Sequence, residues 1–139
     1  MSKLKQFLLA FILFIVFDFI WLGFVMKDFN MRQLAEIGRI ENGVFQMQLA
    51  PALITYILMA LALPLYVLPR LARQSSHLNA FLAGAPLGLI IYGVFDTTNL
   101  AILKNYPLAF VVPDIAWGTV VFGLVTVITA KSVKEGRLT

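Results

Sequence analysis

Four long apolar stretches, separated by short polar segments, run the length of this chain. They cover about residues 5–26, 49–68, 78–103 and 107–130. Each has about the ~20 residues that a helix needs to cross hydrocarbon, and charged residues largely avoid all four. The pattern predicts an all-α fold, an integral membrane bundle of four transmembrane helices forming one domain over residues 1–139. The opening MSKLKQ ahead of an apolar run has the look of a secretory signal. The run is too long for a signal core, however, and no small-x-small cleavage site follows, so it reads as a retained helix.

Positive charge sets the orientation. Lys3, Lys5, Arg70, Arg73, Lys131, Lys134 and Arg137 make seven on one side, against four (Lys27, Arg32, Arg39, Lys104) on the other. Lys and Arg favour the cytoplasmic side, so both termini are expected in the cytoplasm of a multi-pass inner-membrane protein. The first outer loop, residues 27–48, is the sizeable one. Arg32, Glu36 and Arg39 fall there on one helical stripe with Leu34 and Ile37 roughly opposite, which predicts a short amphipathic helix on the outer surface. It is either a solvated charge stripe or a lid over a pocket. Pro51, Pro64 and Pro86 fall in or near spans two and three, where each frees a carbonyl that must find another partner. Ala80, Gly84 and Gly88 form a small-residue ridge at four-residue spacing, suited to packing inside the bundle or to a homodimer seam.

Composition narrows the classes further. The chain is 60% hydrophobic and 13% charged, outside the usual range for a soluble domain. With no cysteine, disulfides, thiolate metal sites and cysteine catalysis are excluded. The net charge of +4 does not point to nucleic acid, because the basic residues flank the apolar runs instead of forming a stripe with aromatics. The expected partner is the lipid bilayer.

Within this apolar background, three spans each carry an acid with a large or polar side chain three residues on. These are Asp18 with Trp21, Asp96 with Asn99, and Asp114 with Trp117. That spacing puts both members on one helix face, and Tyr92 joins the face of Asp96. At ~1.5 Å per residue all three acids lie roughly 10–12 Å below the outer helix ends. An Asp at a helix centre costs about 2.5–3.5 kcal/mol on insertion scales, so these acids are expected to face inward and pair. Asn99, Thr97, Thr98, Thr119, Tyr56, Tyr92 and the indoles of Trp21 and Trp117 are the candidate partners. Lys27, Arg32, Arg39 and Lys104 are candidates to reach in from the outer side. Failing those, the acids share protons or bind a cation. Three carboxylates are also suitable oxygen ligands for a hard metal, but without a His cluster no metal site is assigned. Plainer readings stand beside these: Asp114 as a first-turn residue behind Pro113, the Trp residues as an interfacial belt, and Asp96 with Asn99 as interhelical glue.

YGVFDTTNLAILKNYPL, DIAWGT and FDFIWLGFVMKDFNMRQL together resemble a family of small bacterial predicted membrane proteins classed as domain of unknown function 2177. The resemblance covers nearly the whole chain. It centres on Asp18, Trp21, Asp96, Thr98, Asn99, Leu100, Pro107, Leu108, Asp114, Trp117 and Gly118. Tyr106 stands where a Trp is more usual, and Pro113 precedes the acid of span four. The resemblance implies a four-helix inner-membrane protein and no known activity.

The residues predict an outward-opening polar pocket lined by Asp18, Trp21, Tyr92, Asp96, Thr98, Asn99, Asp114 and Trp117. Its first use is binding or transport of a proton, a cation or a small amine-bearing ligand, with the indoles as walls. The alternatives are an enzyme acting on a lipid or isoprenoid through one protonated and one ionised acid, and an accessory subunit of a larger membrane complex. No cofactor can be named.

Overall fold

The computed structural model describes residues 2–72 and 75–135, with side chains to Ser132. Arg73, Arg137 and the side chain of Lys134, all counted above for orientation, lie outside the described residues. The chain runs α1 (Lys3–Ile20), α2 (Lys27–Gln33), β1 (Ile40–Glu41), β2 (Val44–Phe45), α3 (Leu49–Ala62), α4 (His77–Ile102) and α5 (Leu108–Glu135). A π-helical turn, Trp21–Val25, extends α1. Another, Leu63–Val67, followed by a short 3-10 turn at Leu68–Arg70, extends α3. With these extensions four helices are long and apolar enough to cross a membrane: Lys3–Val25, Leu49–Arg70, His77–Ile102 and Leu108–Ser132. The predicted spans agree to within about two residues at each end. Large apolar side chains such as Phe24 and Val112 are exposed around the bundle, as expected where the solvent is lipid.

Local chemistry explains where these helices start. The hydroxyls of Ser2 and Ser76 accept the backbone N–H groups of Lys5 and Asn79 (3.3 and 3.1 Å), capping α1 and α4. On α1 the buried residues are Gln6, Ala10, Phe14 and Asp18, one every fourth position. This stripe is polar at both ends and apolar in the middle. Its middle packs into a core with Met59, Ala60 and Leu63 of the second span and with Val121, Phe122 and Val125 of α5. The Phe14 and Phe122 rings sit 4.7 Å apart at the centre of this layer.

The α4–α5 pair is the most extensive contact, and glycines make it. A methyl at Gly84 would come within 2.6 Å of the Phe122 carbonyl oxygen, and one at Gly88 within 2.7 Å of the Gly118 carbonyl carbon. Two backbones can approach this closely only where at least one of them presents no Cβ to the other. The Ala80/Gly84/Gly88 ridge is therefore spent inside the chain, against α5.

One expectation needs correcting. The loop stripe Arg32/Glu36/Arg39 does not form one helix. α2 ends at Gln33, and residues 40–45 form a hairpin with Ile40 opposite Phe45 and Glu41 opposite Val44. Its turn is Asn42–Gly43, at φ 50° and 72°, the left-handed pair that a two-residue hairpin turn demands. Helix α5 starts within a residue of the predicted span, so the alternative of Asp114 as a first-turn residue behind Pro113 is not the one the helix takes. It starts at Leu108 and carries Pro113 inside, so Asp114 lies in the second turn. The first and third loops meet at one end of the bundle, where Asn105 Nδ2 donates to Glu36 Oε2 at 2.7 Å. This is called the hairpin end below.

Candidate functional site

Asp18, at the top of the α1 stripe, is 4% exposed. Its Oδ1 accepts the indole N–H of Trp117 at 2.7 Å, and the Tyr56 hydroxyl lies within hydrogen-bonding reach. Trp117 in turn stacks on Trp21, ring centroids 4.5 Å apart and planes 4° from parallel. The π turn that begins at Trp21, closed by Met26 N–H to Trp21 carbonyl at 2.8 Å, marks the point where α1 gives way to the first loop. The two tryptophans are thus joined to the acid and to each other, instead of standing apart as belt anchors.

Asp96, in α4, is fully buried. Its Oδ1 accepts the Tyr106 hydroxyl at 2.6 Å, while Oδ2 has no hydrogen-bond partner. Beside it is another acid, the half-buried Asp114 of α5, close enough for a carboxyl–carboxyl hydrogen bond. Asn99 reaches the same Tyr106 hydroxyl. Tyr106 belongs to the loop between α4 and α5 and packs with Phe110 and Val111, covered by Leu34 from the first loop. Burial, then the hydrogen bond to Asp96, push its hydroxyl above the ordinary tyrosine range.

Tyr92 ties the two halves together. Its ring lies over Gly118, where a side chain would strike it, and its hydroxyl is within Coulombic reach of Asp18, Asp96 and Asp114. Seven of the eight predicted site residues therefore meet in one cluster. Thr98 does not: it is exposed, roughly 200° around α4 from Asp96. Thr97 and Thr119 spend their hydroxyls on the carbonyls of Gly93 and Ile115, at 2.6 and 2.9 Å. Lys27, Arg32, Arg39 and Lys104 are all exposed. Tyr106 was absent from the predicted set. The one hint in the sequence was its place in a loop at the acids' end, as an aromatic that carries a hydroxyl where a Trp is more usual.

Beside the acids the surface of the described residues is concave. The concave feature beside them is a groove of about 280 Å³ lined by Trp21, Pro113, Ala116, Trp117 and Val120, all apolar surfaces. Among the described residues no group of three His, Cys, Asp or Glu is arranged to hold a metal ion.

Four apolar helices around a core that buries carboxylates define a polytopic membrane protein. Within that class, residues 3–131 match the family described as predicted membrane protein (DUF2177), and the chain belongs to that family. No curated protein and no solved structure matches it.

Proposed function

We propose that this is an inner-membrane protein, both termini cytoplasmic, whose carboxyl cluster is a proton-binding site, with Asp96 and Asp114 sharing one proton. The observation that carries this reading is the fully buried Asp96 carboxyl group, whose Oδ2 lacks a donor and which lies beside the carboxyl group of Asp114. Two carboxylates side by side in low dielectric repel, and a buried oxygen without a donor carries its full desolvation cost. A single proton between them removes both penalties, because the protonated acid becomes the missing donor. Asp18 needs none, since Trp117 and Tyr56 supply its donors.

A proton is favoured over the other ligands considered. A metal cation requires convergent oxygens that the described residues do not provide. An amine-bearing ligand requires a cavity with polar lining, and the groove beside the cluster suits hydrocarbon. The test is infrared spectroscopy of the purified protein near neutral pH. A protonated-carboxyl stretch should be present in wild type and retained in Asp18→Asn. It should be lost in both Asp96→Asn and Asp114→Asn, and unaffected by exchange of sodium, potassium or calcium. A wild-type spectrum without the band, or a band that survives both of the latter substitutions, would overturn the assignment.

A further inference from the structure

We infer that this proton site, granted the reading above, exchanges with the hairpin end of the bundle alone, making it a one-sided proton receptor and not a conduit. On that side the cover is thin. Tyr106, itself a loop residue, is bonded directly to Asp96, and above it lie Leu34 and the Glu36–Asn105 contact between the two loops. The groups facing the shared proton are Asp18 from α1, Tyr56 from α3, Tyr92 from α4, and Tyr106 with Asn99 at the loop. All belong to the cluster.

Toward the other end the next buried polar side chains are Gln6 on α1 and Thr126 on α5. Gln6 is twelve residues from Asp18, and Thr126 twelve from Asp114. Each interval is about 18 Å of helix at ~1.5 Å per residue. Between those levels the buried side chains of α1 and α5 are Ala10, Phe14, Val121, Phe122 and Val125, and the second span adds Met59, Ala60 and Leu63. None can donate or accept a proton. Among the described residues α4 and α5 touch backbone to backbone at Gly84 and Gly88, and the Phe14 and Phe122 rings pack together at the centre, closing these seams to water. The buried side chains between those levels are apolar, and the part-buried Thr119 of α5 turns its hydroxyl onto the Ile115 carbonyl, so no hydrogen-bonded chain is continuous across the layer. Thr126 lies beyond it and turns its hydroxyl back onto the Phe122 carbonyl at 2.7 Å.

The test uses the whole chain reconstituted in vesicles. A Met47→Cys variant, in a chain that has no other cysteine, reports through an impermeant maleimide what fraction of molecules has the hairpin end outside. The protonated-carboxyl band is then followed while only the external pH, or only the internal pH, is changed. One-sided exchange requires the external change to titrate only the outside-facing fraction, the internal change to titrate the rest, and proton leak to stay at the level of protein-free vesicles. Titration of the whole population from one side, or protein-dependent leak, would overturn one-sidedness and leave the proton site standing. A band missing in detergent as well would overturn the site itself, and this inference with it.

Discussion

Tyr106 does for Asp96 what Trp117 does for Asp18: each brings a polar hydrogen to a carboxylate oxygen that lipid could never satisfy. A hydrogen bond to a charged acceptor contributes about 1.5–3 kcal/mol, and Tyr106→Phe would leave Asp96 without it. This variant should melt lower in detergent by a corresponding amount. The pH dependence follows from the raised hydroxyl. The folded protein holds that proton more tightly than the unfolded chain does, so the contribution is complete below the ordinary tyrosine value of 10.0 and is lost as pH rises beyond it. The stability gap between wild type and Tyr106→Phe should therefore be full at neutral pH and shrink above about pH 10. A gap that stays constant to higher pH would contradict the assignment. Asp18→Asn and Trp117→Phe should be non-additive by more than the ~0.5 kcal/mol typical of independent positions, in a double-mutant cycle read by thermal melting. The acids and tryptophans were legible in the sequence because three residues along a helix return to the same face. Tyr106 was not, because a loop has no period from which to read where its side chain will point.

At the level of elements, the α4–α5 seam makes the sharpest demand on sequence. Gly84→Leu and Gly88→Leu should each cost at least about 1–3 kcal/mol of overpacking, seen as a lower melting temperature. Gly93 is the control. It lies on the same helix with nothing within 4 Å of an added methyl, so Gly93→Ala should be neutral or stabilising by up to about 1 kcal/mol. Equal melting of all three variants would place the ridge against lipid. The close-packing ridge was evident from its four-residue spacing. In the first loop turn chemistry prevails over charge periodicity. Asn42–Gly43 is a strong hairpin signal, and it competes with a stripe of only three charges. The π turn at Trp21 left no comparable mark, since it depends on how α1 meets its neighbours and not on local propensity.

For the whole molecule, hydrophobic run length was enough to delimit all four spans, because lipid leaves a backbone no choice but to satisfy itself internally. Orientation rests on a separate quantity, seven positive residues against four. A periplasm-dependent reporter should be inactive when fused after Thr139 and active when inserted near Gly43. The reverse pattern would turn the hairpin end, and the carboxyl cluster with it, toward the cytoplasm.

The paired indoles carry one more consequence. They are the only two tryptophans in the chain, they lie almost parallel at 4.5 Å, and they come from the first and last transmembrane helices. Two identical chromophores held so close couple their electronic transitions, so the folded bundle should show an exciton couplet in its ultraviolet circular dichroism that neither Trp21→Phe nor Trp117→Phe retains. Because one of the two indoles is also bonded to Asp18, the protein comes with an optical gauge of its own assembly, set against the acid at the top of the first helix.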